Sequence, residues 1–325
     1  MFRVLHIGFP NPAMGKAFSI KTDYRFIDWT AWTAIPNNVL NLHKHITDVC
    51  VDFKPDMIFM QIQSPGVITP EFVQTLPGLI INWTWDYRDP TPQWMVDIAP
   101  YVISAFTNET DVEYLQSLGY DSMFLQGGFN NKVYDPDGQL YSKDDSPEIV
   151  FMANNYPDDE YDFPLSKYRI ELVDALKEKY GTKFAVYGFG WLGQNPLQSF
   201  MHREAKEAAS YRSSKIAINL SHFEAERYTS DRMFRILGSG PLCMTHWYPG
   251  IEKDFTDGEH LLVWRTTEEL MNLIDEYLPN INTERIRISA AGCKLAHMNY
   301  TWDDMVRNIV DEKLNDQFLI LRKNN

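Results

Sequence analysis

The sequence predicts an α/β protein built from two parallel-sheet domains. Three observations carry that reading. Short apolar runs alternate with longer amphipathic ones along most of the chain, the pattern of repeated strand–helix units. The apolar runs stop at turn-formers, as at GFPNP from Gly8, DYRDP from Asp86 and TNET from Thr107. The pattern breaks once, just after Gly127, and then restarts, and 325 residues exceed what one hydrophobic core normally holds.

In the first half, strands are expected at Arg3–Gly8, Met57–Gln61, Leu79–Thr84, Tyr101–Phe106 and Ser122–Leu125, with helices between them such as Asn38–Phe53 and Glu109–Leu118. The stretch GGFNNKVYDPDGQLYSKDDSP is rich in Gly, Asn, Asp and Pro and has no periodic apolar face, so it reads as a linker. A second series follows. Its strands are expected at Glu148–Ala153, Lys183–Tyr187, Ile216–Leu220, Pro241–Thr245 and Leu261–Val263, and its helices near Ser166–Tyr180, Glu204–Tyr211, Asp231–Leu237 and Glu268–Tyr277. The closing segment, about Thr283–Phe318, reads as mostly helical and able to fold back across the linker. The expected division is a domain over 1–130, a linker over 131–147, a domain over 148–282 and a helical segment over 283–325. Two such domains leave a cleft at the carboxyl ends of their strands, where open parallel sheets bind ligands.

Composition narrows the function. The chain is 44% hydrophobic and 14% aromatic, which excludes a disordered protein. Cys50, Cys243 and Cys293 are odd in number and widely spaced, which argues against a disulfide framework or a cysteine zinc site and suits a reducing compartment. The start, MFRVLHIGFP, reads as a first strand rather than a signal peptide, and apolar runs such as GLIINWTW are too short to cross a bilayer. A soluble, cytoplasmic protein is expected. The net charge is −14, with residues 1–150 at −9 and the remainder at −5. That acidity disfavours non-specific binding to nucleic acid or anionic lipid, while a local basic pocket stays possible. The acidic runs Asp144-Asp145 and Asp158-Asp159-Glu160 read as solvated loops.

One stretch concentrates the signals of a binding site: TSDRMFRILGSGPLCMTHWYPGIEKDF, from Thr229 to Phe255. Ser230 reads as an N-cap, Asp231 as a first-turn acid, and Arg232 and Arg235 share a face three residues apart. A helix start offers free N–H groups and a positive dipole end, and arginine forks beside it make a diphosphate clamp. The competing reading pairs these arginines with neighbouring Asp and Glu.

The longer run SDRMFRILGSGPLCMTHWYPGIEKDFTDGEHLLVWRTTEEL resembles the carboxyl-terminal donor domain of GT-B glycosyltransferases, particularly the CgeB-like branch. There an Arg-x-Phe-Glu-x-x-x-x-Gly helix precedes an apolar strand, a Gly-containing turn, an Asp-Gly turn and a final strand. IVFMANN is similar to the opening strand of that domain, FAVYGFGW to its strand with Gly-x-Gly-Trp, and SSKIAINLS to the strand before the donor helix. In the first half, IINWTWDYRDP resembles a Trp-x-x-Asp-Asp-Pro element and GGFNNKVYDP the interdomain crossing. The resemblance implies two Rossmann-like domains and a carboxyl-terminal helix crossing back. It implies no metal or other cofactor, with a nucleoside-diphosphate sugar as co-substrate. The sugar would pass to an acceptor hydroxyl on a surface or spore glycan, or on a hydroxymethylated base of phage DNA. Two departures stand out: Arg235 occupies the position of a glutamate that usually binds the donor ribose, and Arg227 that of an earlier glutamate. Tyr300-Thr301-Trp302 stands where the family has His-Thr-Tyr, with His297 out of register, and that segment reads as structural. A non-catalytic scaffold and a sugar-nucleotide epimerase on the same fold are the alternatives.

Other candidates are weaker. Gly188 and Gly190 in YGFGW follow a strand, where a missing Cβ lets a ligand approach the backbone, and Trp191 could pack on a base or wedge the domain. Gly250 marks the turn expected to complete the diphosphate site. Asp86, with Asp89 behind it, could act as general base towards an acceptor hydroxyl or simply cap a turn. The loop GFPNPAMGKAFS offers Gly8, Asn11, Gly15 and Lys16 to acceptor or phosphate, yet lacks the spacing of a P-loop or a dinucleotide fingerprint. His43 and His45 are two apart on a helix, the wrong spacing for a metal pair.

Overall fold

The computed structural model describes residues 2–138, 146–156, 163–191 and 204–314. Asp144-Asp145 and Asp158-Asp159-Glu160 lie outside the described residues. The chain forms two compact units: Met1–Gly128 together with the chain from Trp302 onward, and Phe129–Thr301.

In the first unit, β1 (Arg3–Gly8), β2 (Asp23–Asp28), β3 (Met57–Met60), β4 (Leu79–Thr84), β5 (Ile103–Phe106) and β6 (Ser122–Phe124) make one parallel sheet, ordered β2-β1-β3-β4-β5-β6. β3 and β4 are buried at every position, which is why they read as continuous apolar runs. β2 is an addition to the expected strands: DYRFID lies at the sheet edge with one buried residue and so has no apolar signature. The helices α1 (Pro12–Lys21), α2 (Trp29–Thr33), α3 (Val39–Phe53), α4 (Pro70–Val73), α5 (Gln93–Ile98) and α6 (Glu109–Ser117) connect these strands. α1 corrects the expected loop. Asn11 Oδ1 accepts the Met14 N–H at 3.0 Å and Pro12 fills the first turn, so Gly15 and Lys16 are helical residues. The expected strand at Tyr101 starts at Ile103 because Ala99–Tyr101 forms a 3-10 turn.

The second unit holds β7 (Ile149–Met152), β8 (Phe184–Tyr187), β9 (Ile216–Asn219), β10 (Leu242–His246) and β11 (Leu262–Trp264), all parallel and ordered β11-β10-β9-β7-β8. Each lies within a residue of its expected position. Around them pack α7 (Ser166–Tyr180), α8 (Glu204–Ser213), α9 (Arg232–Ser239), α10 (Thr267–Tyr277) and α11 (Thr283–Asn299). α10 opens on a capping box: Thr266 Oγ1 accepts the Glu269 N–H at 3.1 Å and the Glu269 carboxylate reaches back to the Thr266 N–H. Tyr300, after α11, stacks on Phe234 and Phe255.

The chain then returns to the first unit as α12 (Trp302–Arg307) and a π-helical turn, Asn308–Leu314. Met305, Val306 and Ile309 join Val4, Phe18 and Ile81 in one core on the α1 side of that unit's sheet. No described helix is long and apolar enough to cross a membrane.

Candidate anion site at the switch point of the second sheet

An open parallel sheet forms a crevice where its strand order reverses. In the second unit that place lies between β7 and β9, because β8 pairs on the far side of β7. Each of these two strands leads into a helix, and each helix supplies an arginine from its first turn: Arg169 from α7 and Arg232 from α9.

The two guanidinium groups converge. Arg169 Nη2 donates to the Leu220 carbonyl at 2.5 Å and Arg232 Nη1 to the same oxygen at 3.1 Å. Both lie 5.7 Å from the centroid of the Phe151 ring. Arg169 Nη1 also donates to the Asn154 carbonyl at 3.0 Å and to His222 Nε2 at 2.7 Å. Because Nε2 accepts, the His222 proton sits on Nδ1, which faces Ser166 Oγ at 3.4 Å. Arg232 Nη1 is further held by Asn219 Oδ1 at 3.1 Å.

No described carboxylate pairs with either arginine. Burial, reinforced by the charge of Arg232, holds the Arg169 pKa well below its ordinary value, and burial lowers that of Arg232. Burial and then the two arginines push His222 down to about 3, so the imidazole is neutral. Arg169 Nε, Ser221 Oγ and Ser230 Oγ are buried without a hydrogen-bond partner. Two like charges beside polar atoms without partners make a cradle suited to an anion.

The structure sorts the expected residues of this region. Arg232 faces the switch point, whereas Arg235 does not serve it: its Nη1 donates to Glu207 at 3.0 Å and its Nη2 to Asp231 at 2.8 Å. Burial works to lower the pKa of Arg235, and the carboxylates of Asp231 and Glu207 outweigh it and raise it. Asp231 is therefore an exposed i,i+4 partner of Arg235. Ser230 does not cap α9, whose first turn has no side-chain cap. Arg227, at φ +55°, forms a two-pronged pair with Asp254, both bonds 2.8 Å. Gly250 has φ +78°, and a Cβ there would lie 2.5 Å from Glu226 Oε1, so the glycine answers to its own loop. His297 Nε2 bonds the Gly238 carbonyl at 2.9 Å, a structural contact.

The Gly188–Trp191 loop follows β8 and is tied to the loop after β7. The Phe189 N–H donates to Asn154 Oδ1 at 3.1 Å, the Asn155 N–H to the Phe189 carbonyl at 2.7 Å, and Asn155 Nδ2 to the Gly190 carbonyl at 3.2 Å. Gly188 has φ +139°, and a Cβ on it would lie 2.1 Å from the Ala153 carbonyl, so only glycine fits. Trp191 is the wedge of the two options left open by the sequence: it is 8% exposed, and its indole N–H donates to the Ala153 carbonyl at 2.7 Å. The side chain left outward is Phe189, 52% exposed.

In the first unit the order reverses between β1 and β3. Gly8 is there, packed so closely that a Cβ would lie 2.2 Å from both Gln61 Oε1 and His6 Nε2. Buried His6 bridges Tyr24 and Gln61 through its two ring nitrogens, at 2.9 and 2.8 Å. Asp86 and Asp89 lie exposed on the turn after β4. Lys16 is exposed on α1, and Asn11 serves as its cap. His43 stacks on Phe72 at 3.8 Å and bonds the Val67 carbonyl at 2.9 Å. Among the described residues no group of three or more His, Cys, Asp or Glu could hold a metal ion.

Residues 169–311 match the family model described as "Glycosyl transferase-like". No match was found among curated proteins. Solved structures match over the whole chain. Sucrose-phosphate synthase from Thermosynechococcus elongatus has a TM-score of 0.64 at 10% identity, covering 99% of this chain and 100% of its own. Anabaena HepE in complex with UDP-glucose has a TM-score of 0.63 at 11% identity, covering 96% and 99%. The E. coli trehalose-6-phosphate protein bound with UDP-2-fluoro glucose has a TM-score of 0.63 at 12% identity, also covering 96% and 99%. The fold is GT-B. Within this GT-B chain the segment that matches the family model opens at Arg169 and includes Arg232, so both arginines of the candidate site lie inside it.

Arg169 and His222 are not legible as a pair in the local sequence. Arg169 sits in SKYRIELV, a surface-helix pattern, and its partners Leu220 and His222 are 51 and 53 residues away. Its one local signal is its place in the first turn after the domain's opening strand.

Proposed function

We propose that the protein is a glycosyltransferase that moves a sugar from a nucleoside-diphosphate sugar to an acceptor hydroxyl. The observation that carries this reading is the pair Arg169 and Arg232, both without a described carboxylate partner, at the switch point of the second sheet. Transfer breaks the bond between the anomeric carbon and a diphosphate oxygen, and negative charge grows on the departing diphosphate. Two arginines and the first turns of α7 and α9 are placed to stabilise that charge, with no metal needed. The family match over 169–311 supports the reading, as do the sugar nucleotides named with two structural neighbours.

The donor is a hexose nucleotide in this proposal, the chain belongs to the CgeB-like branch, and the reaction takes place in the cytoplasm. The acceptor is a glycan or a hydroxymethylated base. The first unit supplies its recognition, with Asp86 as the candidate base. A second reading has one specific observation in its favour. Arg227 and Arg235, at the positions of family glutamates, are each locked to a carboxylate, Asp254 and Glu207, which fits a GT-B scaffold that binds a nucleotide without turning it over.

The test is a thermal-shift and product-release assay with UDP, ADP and GDP and their glucose conjugates. One nucleotide at a hundredfold excess over its dissociation constant should stabilise the wild type by about 2.7 kcal/mol and leave Arg169→Gln and Arg232→Gln unmoved. Release of the nucleoside diphosphate only when an acceptor glycan is added identifies a transferase; binding without release identifies the scaffold. A folded wild type that no nucleotide stabilises refutes both.

A further inference from the structure

We propose that Phe189 is the platform on which the nucleobase of the donor stacks. This deepens the donor-site reading and rests on it.

The starting point is a rigid loop presenting an apolar ring to solvent. Phe189 is 52% exposed and makes no ring contact with any described residue, although its own N–H and carbonyl are both hydrogen-bonded. Its N–H and carbonyl bond Asn154 and Asn155, the next carbonyl accepts from Asn155 Nδ2, and the indole of Trp191 anchors the loop's far end to Ala153. Gly188 closes against the Ala153 carbonyl in a conformation denied to other residues. A loop held this firmly would bury a phenyl ring if packing were its purpose. Pre-organised aromatic exposure is instead what a stacking surface requires, since the ring is already fixed when the ligand arrives.

Position supplies the second argument. Asn154 is shared between the loop and the anion site: its carbonyl accepts from Arg169 at 3.0 Å, while its Oδ1 accepts from the Phe189 N–H at 3.1 Å. One residue therefore sets the spacing between the guanidinium and the loop that carries the phenyl ring. A molecule with an anionic group at one end and a flat ring at the other, joined by a short linker, fits that pairing. A nucleoside diphosphate is such a molecule. Stacking on a phenyl face is indifferent to the identity of the base, so Phe189 contributes affinity more than selection among bases.

Binding is measured by calorimetry with the best of UDP, ADP and GDP, and with inorganic pyrophosphate, on the wild type and on Phe189→Ala, Phe189→Trp and Arg232→Gln. Phe189→Ala should weaken the nucleotide about ten- to a hundredfold and leave pyrophosphate unchanged. Phe189→Trp should hold the nucleotide within about twofold, and Arg232→Gln should weaken both ligands. Equal nucleotide affinity in Phe189→Ala and the wild type overturns the platform. So does a loss of pyrophosphate binding in Phe189→Ala as large as the nucleotide's. A wild type that binds none of the nucleotides sinks the donor-site reading, and this inference with it.

Discussion

Arg232 and Arg235 stand one turn apart on α9, and the structure gives their removal opposite consequences. Arg235 neutralises Glu207, whose side chain is 6% exposed, at 3.0 Å. Arg235→Gln leaves that carboxylate buried without its cation, a change that costs about 3–5 kcal/mol. For a unit of this size each kcal/mol moves the melting temperature by about 2–4 °C, so the fall is about 10 °C. Arg232→Gln removes a charge that opposes Arg169 across a shared carbonyl, and glutamine retains an amide donor towards Leu220 or Asn219. Relief of like-charge contact and loss of hydrogen bonds oppose each other, so the ligand-free protein should change by about 1 kcal/mol or less. Differential scanning fluorimetry with and without nucleotide reads both effects. Arg235→Gln should melt early and still gain stability from the ligand; Arg232→Gln should melt near the wild type and gain none. If Arg232→Gln lowers the ligand-free melting temperature as far as Arg235→Gln does, the arginine is structural and the anion-site argument fails.

Acid should unfold the first unit through His6. Burial, against the Gln61 bond, lowers its pKa from 6.5 to about 4, so the unfolded chain takes up the proton first. Stability is then full above pH 6.5 and falls towards pH 4, by about 2 kcal/mol between pH 7 and 5. Urea midpoints across that range should show His6→Gln with the flatter profile, and a slope equal to the wild type's would contradict the assignment. Gly188→Ala should cost at least about 2 kcal/mol, because its Cβ meets the Ala153 carbonyl at 2.1 Å at φ +139°; a melting temperature within a degree of wild type would show that the loop can yield. Trp191→Phe loses one buried hydrogen bond, worth about 1 kcal/mol, and should lower the melting temperature by about 2–4 °C; an unchanged melting temperature would show that the indole does not anchor the loop.

How much of this was legible depended on where each partner lay. Strands buried on both faces announce themselves, as MIFM, LIINWT and IAIN do, because most of their side chains must be apolar. β2 lies at an edge and pairs on one side only, so DYRFID escaped notice. α1 was hidden by Asn11, Pro12 and Gly15, residues that suggest a loop although an Asn cap followed by Pro is equally a helix start. For Arg235, the spacing to Asp231 was readable as i,i+4, whereas Glu207 comes from another helix 28 residues away. Arg169 could not be found locally, since nothing in SKYRIELV says that the guanidinium will meet Leu220 and His222.

The distribution of carboxylates is what gives the site its meaning. With 44 acidic residues against 30 basic ones, a buried arginine in this chain can readily be given a partner. Arg227 has Asp254, and Arg235 has Glu207 with Asp231. Arg169 and Arg232 have carbonyls, an amide and a neutral imidazole instead. Carbonyl oxygens orient a guanidinium without cancelling its charge, so the two positive charges at the switch point are not neutralised by a carboxylate in a chain whose net charge is −14. Holding two such charges together costs stability in the ligand-free protein. A negatively charged ligand at that point would offset the repulsion between the two arginines.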